Sequence, residues 1–187
     1  MKDLEALTGQ VLIAIPNTAH HGYVRGVMLI TSHWPAGSAG IIINRPIQNS
    51  LTVGEVMRNV GISFNCNEPI FMGGPDDLNK IQVVHSLDWH SSGTKHLNDQ
   101  IGLTSDISIL AALSEGKGPR FWRFACGQRL QPPGEIEGEL IGEKPWIPEH
   151  RWLTAPATEE LVFNGLGDEQ WINAINESSK IEVASWF

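Results

Sequence analysis

The chain has 187 residues, 41% of them hydrophobic, and a formal net charge of −8. This length and composition suit one globular domain and argue against intrinsic disorder. Only 13 lysines and arginines are present and they are scattered, so direct nucleic-acid binding is disfavoured. The two cysteines form no CxxC pair and no apolar run is long enough to span a bilayer, so we predict a cytoplasmic protein.

Apolar runs and turn residues predict the elements in chain order. Loops are expected at residues 33–40 and 90–100, which are rich in turn-forming or polar residues. Strands and helices mix without a βαβ rhythm, which favours an α+β fold. We expect strands at 10–16, 23–30 and 41–44, a helix at 52–61, strands at 69–75 and 80–87, a helix at 104–116, a strand at 120–127, and helices at 156–164 and 167–178.

Two of these helices carry recognisable start signals. Thr52 and Glu55 have the spacing of a capping box, which predicts the start of the helix at 52–61. The helix at 104–116 is expected to be capped by Thr104 or Ser105. Its apolar stripe is predicted to consist of Ile107, Leu110, Ala111 and Leu113.

Several segments come in a characteristic order along the chain. Between Gly9 and His85 these are "GQVLIAIP", "YVRGVMLI", "GSAGIIINRP", "FMGGP" and "VVH". They are followed by "CGQ" at 126–128 and "RWLTAPATEELVF" at 151–163. No single segment is specific, but the ordered set resembles the AlgH/YqgE family of bacterial proteins.

The resemblance implies a single α+β domain across residues 1–187, with a mixed, strongly bent β-sheet and several packed helices. It implies no established catalytic activity, and some members of the family are associated with transcriptional control. Residues 129–148 carry extra length relative to the family pattern, and we expect an inserted loop or hairpin there. Glu135, Glu137 and Glu139 alternate in this segment, which predicts one solvated face of an extended chain.

The apolar run at residues 41–43 ends in Asn44 and Arg45, which makes this strand exit a candidate ligand site. Arg45 offers a planar fork suited to carboxylate or phosphate, and Asn44 offers donors and an acceptor. Gly73 and Gly74 allow close backbone approach, so their N–H groups could cradle an anion. In the alternative, architectural reading, Asn44 caps loop backbone, Arg45 pairs with a carboxylate, and the two glycines form a tight turn.

Histidine and cysteine supply the remaining candidates. His85 joins the strand-exit and glycine-turn residues as a ligand-binding candidate. Cys126 is a candidate thiol nucleophile with His85 as base, although a buried small apolar role is the simpler interpretation. The histidines lack HxxxH or HExxH spacing, so we predict no metal site, and the absence of a phosphate-loop motif predicts no cofactor.

These observations favour a non-enzymatic binding or regulatory protein that acts through protein contacts or a small anionic ligand. The alternative is a small hydrolase-like enzyme with its site near Asn44, Arg45 and the Gly73-Gly74 turn. A transcription-linked regulator is the third hypothesis, and the acidic charge disfavours direct contact with DNA.

Overall fold

The computed structural model describes residues 7–16, 23–48, 52–141 and 152–184. Within these ranges the chain forms nine strands and five helices. The strands are β1 (Gln10–Ala14), β2 (Val27–Trp34), β3 (Gly37–Ile42), β4 (Ile70–Met72), β5 (Asp76–Ser86), β6 (Lys95–His96), β7 (Ile101–Thr104), β8 (Trp122–Gln131) and β9 (Trp152–Pro156). The helices are α1 (Val53–Asn59), α2 (Ile107–Ser114), α3 (Glu135–Ile141), α4 (Glu159–Phe163) and α5 (Gly167–Ala184).

The strands form one sheet in the order β6-β7-β5-β8-β3-β2-β1-β9, and β4 pairs with β8 outside that path. β4 and β8 pair in parallel, whereas the other neighbouring strands pair antiparallel. The α+β class and the mixed sheet predicted from the sequence are therefore confirmed. Among the described helices, none is both long and apolar enough to cross a membrane.

The sheet is strongly curled, as predicted. β6 lies at one end of the strand order, yet the Lys95 ammonium on β6 is 4.9 Å from the centroid of the Trp34 indole on β2. Farther along, the Asn98 side-chain amide donates to the carbonyls of Gly9 (3.1 Å) and Ala157 (2.8 Å), beside β1 and β9. These contacts are possible only because the two ends of the sheet approach each other.

Both faces of the central strands are buried, which explains the continuous apolar runs at residues 11–14 of β1 and 27–30 of β2. Inside the curl, side chains from β1, β2, β3, β5 and β7 pack with side chains from α4 and α5. On the outer face, α3 and Trp152 cover one half of the sheet, and α1 and α2 cover the other. Along β1, Val11 and Ile13 belong to the inner cluster, and Leu12 and Ala14 belong to an outer one.

The capping box predicted for α1 is confirmed. The Glu55 amide donates to the Thr52 hydroxyl (3.3 Å), and the Glu55 carboxylate accepts from the Thr52 amide (2.7 Å). In α2 the cap is Asp106 rather than Thr104 or Ser105. The predicted apolar stripe of α2 is also displaced, because Ile109 and Leu113 are buried whereas Ile107 is 67% exposed.

The prediction of a loop at residues 33–40 is wrong. Strand β2 continues to Trp34, and Trp34 pairs with Gly37 across a two-residue turn at Pro35 and Ala36. The Pro, Gly and Ser residues therefore form a tight hairpin, whose strands the sequence pattern does not reveal. Three further strands were not predicted, namely β6, β7 and β9.

The described part of the segment 129–148 is neither a loop nor a hairpin. Residues 129–131 complete β8 and residues 135–141 form α3, while residues 142–148 lie outside the described ranges. Because the backbone is helical, the three glutamates do not share one solvated face. Glu139 is 1% exposed, and its Oε2 accepts a 2.7 Å hydrogen bond from the indole of Trp152.

Candidate functional site

Asn44 is a buried structural residue at the end of β3. Its Oδ1 accepts from the Val27 amide (2.9 Å), and its Nδ2 donates to the carbonyls of Arg25 (2.8 Å) and Gly167 (2.9 Å). The Asn44 carbonyl accepts from the Gly167 amide (2.9 Å). The side chain thus fastens β2, the turn before it and the start of α5, and only 1% of the residue is exposed.

Arg45 is partly buried beside the same turn. Its Nη2 donates to the Val24 carbonyl (2.6 Å), and its own carbonyl accepts from the Met72 amide (2.9 Å). Burial lowers the pKa of the Arg45 guanidinium, and the nearby Asp168 carboxylate partly offsets this. Asp168 itself forms an ion pair with Arg25. The guanidinium is therefore engaged with backbone and with an existing charge pair.

The glycine turn lies next to this strand exit but serves close packing of backbone. The Gly73 amide donates to the Cys126 carbonyl (2.8 Å), and its carbonyl accepts from the last residue of β3 (2.8 Å). A Cβ on Gly73 would lie 2.3 Å from the Gly127 carbonyl oxygen, and one on Gly74 would lie 2.3 Å from the Gln128 carbonyl. Only glycine fits where these segments touch, and the Gly73 amide is already engaged.

His85 is completely buried on β5. Its Nδ1 is 2.9 Å from the Ser86 carbonyl, so Nδ1 is the donor, and its Nε2 then accepts from the Thr104 hydroxyl (2.9 Å). The Thr104 hydroxyl also contacts the Thr94 hydroxyl (2.8 Å). Burial lowers the pKa of His85, which favours the neutral ring.

Cys126 and His85 are not brought together. In the register of β5 and β8, Cys126 pairs with Ile81, whereas His85 pairs with Trp122. Four positions along a strand correspond to roughly 13 Å, beyond the reach of a thiol and its base. The Cys126 thiol instead donates to the Leu78 carbonyl (2.8 Å).

The histidines show no shared site in the part of the chain that the structure describes. Within these ranges, no group of three His, Cys, Asp or Glu side chains is arranged to hold a metal ion. His90 and His96 approach each other, with ring centroids 6.4 Å apart. His20, His21 and His150 lie outside the described residues.

A cavity of about 870 Å³ opens at one end of the curled sheet. Its volume is within the roughly 300–1,000 Å³ typical of small-molecule sites. The β2–β3 hairpin, β5, β6 and the end of β8 form its wall. The strand exit, the glycine turn and His85 do not line it. Its polar lining includes Ser32, Ser38, Lys80, Gln82, Lys95 and Gln131.

Two buried amides in this wall have unused donors. Gln82 is 1% exposed and Gln131 is 3% exposed, and neither Nε2 has a hydrogen-bond partner among the described residues. The Ser38 hydroxyl donates to Oε1 of Gln131 (3.2 Å), and the amide nitrogen of Gln131 is buried. Such a donor costs about 1–3 kcal/mol when it has no partner, so the two amides lower the stability of the fold.

Two lysines bring positive charge to the same cavity. The Lys80 ammonium donates to Oε1 of Gln128 (3.1 Å), and the Lys95 ammonium lies over the indole of Trp34. Partial burial lowers the pKa of Lys95, and the charge of Lys80 adds to this effect. The two ammonium groups therefore repel each other, and an anion between them would relieve the repulsion.

Asp106 is the acidic side chain in the wall, and it is occupied by the fold. Its Oδ1 accepts from the amide (2.9 Å) and hydroxyl of Ser108, and its Oδ2 accepts from the Ser91 hydroxyl (3.0 Å). The hydrogen bond from the Ser108 side chain is the main reason that the pKa of Asp106 is lowered. A carboxylate held ionised in this way is a weak general base.

A second cavity, of about 510 Å³, lies beside β4, β8 and α4. Arg123 at its base is 6% exposed and donates to the Ile43 carbonyl, to Oε1 of Gln170 (2.6 Å) and to the Gly165 carbonyl (2.8 Å). Burial lowers the pKa of Arg123 to about 10, with a smaller opposing effect of Glu68. Arg123 thus stays charged near neutral pH and links β8 to α5.

Sequence reasoning missed the larger cavity, although one signal for it was present. Lys80, Gln82 and Val84 occupy every second position of "KIQVVH", so the glutamine shares a strand face with an apolar residue. Val84 packs in the inner core, and Gln82 lies on the same, inward face of β5. The contribution of Trp34 could not be found, because that residue was assigned to a loop.

Comparison with known proteins identifies the family. A family model described as AlgH-like matches residues 11–181. A UPF0301 protein of Sphingopyxis alaskensis is 32% identical over 173 residues, which cover 91% of this chain and 88% of the relative. A UPF0301 protein of Cereibacter sphaeroides is 33% identical over 168 residues, which cover 88% of each chain.

Two solved structures share the fold. The solution structure of the AlgH protein from Pseudomonas aeruginosa aligns with a TM-score of 0.72 at 24% identity, covering 95% of this chain and 90% of that one. A crystal structure of a Corynebacterium diphtheriae protein aligns with a TM-score of 0.71 at 19% identity, with the same coverage of 95% and 90%. At these identities the likeness concerns the fold alone.

Proposed function

This chain belongs to the AlgH-like family, and from that premise we propose that it is a non-enzymatic protein that binds a small anionic ligand in the cavity at the end of the curled sheet. The names of its relatives give no reaction, so the proposal rests on the cavity itself. The observation that carries it is the placement of two lysines, Lys80 and Lys95, in the wall of one cavity, where the charge of Lys80 contributes to the lowered pKa of Lys95. Like charges placed near each other are kept in a fold at a cost in stability, which an anion between them would relieve.

The charges around the cavity favour an anion. Lys80 and Lys95 supply two positive charges, and Asp106 supplies one negative charge that serine donors already neutralise in part. Ammonium groups at the mouth and amide N–H donors at the wall are all hydrogen-bond donors. A ligand that satisfies them must present several acceptors, as phosphate and carboxylate groups do.

Binding is favoured over hydrolysis by what lines the cavity. An enzyme of the hydrolase class needs a nucleophile that an adjacent general base activates, because the serine hydroxyls of the wall are weak nucleophiles on their own. The carboxylate in the wall is Asp106, whose oxygens hold Ser91 and Ser108. His85 and Cys126 lie elsewhere on the sheet and do not line the cavity.

The cellular setting is part of this proposal. Cys66 and Cys126 are both free thiols, which suits a reducing compartment such as the cytoplasm. With a net charge of −8, contact with a polyanion such as DNA is not favoured, so any regulatory role would follow from the bound small ligand.

Isothermal titration calorimetry with inorganic phosphate and pyrophosphate tests the proposal. We expect the wild type to bind pyrophosphate, and the double variant Lys80→Ala/Lys95→Ala to bind it at least tenfold more weakly, about 1.4 kcal/mol. Lys117→Ala is the matched control, because this exposed lysine pairs with Glu115 far from the cavity lining. Equal affinity in the double variant and the control would overturn the proposal.

A further inference from the structure

Trp34 forms an aromatic part of the cavity wall and remains half exposed. It is the last residue of β2, it lines the cavity, and 51% of it is exposed. The two-residue turn that follows, with Trp34 paired to Gly37, fixes the position of the indole. Large exposed aromatic rings at the mouth of a cavity are typical of sites that stack against a flat ligand.

We propose that the anion is a nucleoside monophosphate, whose base stacks on Trp34 while its phosphate lies between Lys80 and Lys95. This inference rests on the proposed function, because it requires that the cavity bind an anion at all. It adds a second feature to the ligand, a flat aromatic ring at a short distance from the negative group.

The distance between ring and charge in the wall supports this ligand. The Lys95 ammonium is 4.9 Å from the centroid of the Trp34 indole, so the cationic and aromatic surfaces adjoin. A ligand with an anionic group near a flat ring contacts both at once. Inorganic phosphate or a simple carboxylate would use the lysines and make no contact with the exposed half of Trp34.

Hydroxyl groups in the wall suit the sugar of a nucleotide. The hydroxyls of Ser32 and Ser38 lie in the same wall, where a ribose would add further hydrogen-bonding groups. No glycine-rich phosphate loop is needed, because side chains supply the phosphate donors.

A single nucleotide fits better than a nucleic-acid strand. Strand binding depends on a basic track along which several phosphates are neutralised, and here only two lysines among the described residues line the cavity of about 870 Å³. The net charge of −8 also repels a polyanion. One phosphate and one base match the one charged and one aromatic part of the wall.

Calorimetric titration with AMP, GMP, CMP and UMP, beside ribose 5-phosphate and inorganic phosphate, tests the inference. We expect at least one nucleotide to bind tenfold or more tightly than ribose 5-phosphate. Trp34→Leu should weaken that nucleotide at least tenfold but change ribose 5-phosphate less than twofold. Trp34→Phe should retain most of the affinity, because a phenyl ring still stacks.

The outcomes separate the two proposals. Phe121→Leu is the aromatic control, since Phe121 is 39% exposed but lines the second cavity. If ribose 5-phosphate binds as tightly as every nucleotide and Trp34→Leu has no effect, the nucleotide inference is overturned and the anion site stands. If no phosphate compound or pyrophosphate binds the wild type, both proposals are overturned.

Discussion

The indole N–H of Trp152 donates a 2.7 Å hydrogen bond to Oε2 of Glu139, a carboxylate that is almost completely buried. The other oxygen of Glu139 lies 3.6 Å from the Arg129 guanidinium, which also pairs with Glu135 at 2.5 Å. This network joins α3 and β9 to β8. Since the partners come from three elements, the carboxylate holds one outer layer of the protein against the sheet.

Removal of the Glu139 carboxylate should destabilise the folded protein. We expect Glu139→Ala to lower the free energy of unfolding by about 2 kcal/mol, because the buried Trp152 indole N–H loses its acceptor while Arg129 keeps Glu135 as a partner. Glu139→Gln should cost less, since its amide oxygen still accepts from Trp152. Glu137→Ala is the control and should cost less than about 1 kcal/mol, as the Glu137 side chain is one-third exposed. Urea denaturation measures all three.

The strand exit should prove to be architectural. Asn44→Ala removes three side-chain hydrogen bonds and is expected to lower the free energy of unfolding by about 3 kcal/mol. Arg45→Ala should cost less and leave pyrophosphate affinity unchanged, because Arg45 does not line the cavity. Loss of binding in a folded Arg45→Ala protein would instead identify the strand exit as the ligand site.

Removal of the Gln82 amide should stabilise the protein. Gln82→Leu removes a buried donor without a partner, so we expect the free energy of unfolding to rise by about 1 kcal/mol, while pyrophosphate affinity stays within twofold because the lysines hold the anion. Thermal denaturation and calorimetry provide the two readouts. A variant that is less stable than the wild type would contradict this assignment.

Gln170 provides the matched control for that experiment. It is equally buried, but its Nε2 donates to the carbonyls of Leu161 and Val162 (3.0 Å each) and its Oε1 accepts from Arg123. Gln170→Leu should therefore lower the free energy of unfolding by about 3 kcal/mol, the opposite sign. If Gln82→Leu and Gln170→Leu change the free energy of unfolding equally, then burial of the amide, rather than its hydrogen bonding, determines the change in stability.

The buried His85 ring should make stability depend on pH. Its pKa in the folded protein is below that of the unfolded chain, so below about pH 6.5 the unfolded state binds more protons. Its contribution to the free energy of unfolding is therefore full above pH 6.5. As the pH falls toward the folded pKa, that contribution should decline by up to about 1.4 kcal/mol per pH unit.

His85→Gln should flatten this part of the stability profile between pH 6.5 and 5. Denaturant titrations at a series of pH values measure the slope, and the difference from the wild type isolates the one residue. His90→Gln, at an exposed position, serves as the control. Parallel slopes for wild type and His85→Gln would mean that His85 accepts a proton in the folded protein as readily as in the unfolded chain.

Local chemistry explains which parts of the fold were predictable. The capping box of Thr52 and Glu55 lies within four residues, so the start of α1 follows from the sequence. The apolar run of β1 was equally clear. In contrast, β6 has two residues and β7 has four, too few to show a periodic pattern. β7 forms because β5 supplies a partner edge, and β6 in turn pairs with β7.

The candidate site was less predictable than the fold, for a physical reason. Asn44 and Arg45 stand out in the sequence because polar residues interrupt an apolar run, yet their hydrogen bonds end on backbone. Gln82 on β5 and Gln131 on β8 line one cavity only because the two strands pair and the sheet curls. No local pattern encodes a shared cavity wall for residues so far apart in the chain.

The pairing of β1 with β9 has a consequence for synthesis of the protein. β1 begins at Gln10, but Pro156, its partner in the register, comes near the other end of the chain. Until the ribosome has released that segment, one edge of β1 presents bare backbone N–H and C=O groups to other chains. Assembly of the sheet therefore finishes late, and a stalled or shortened chain that lacks β9 would be prone to aggregate.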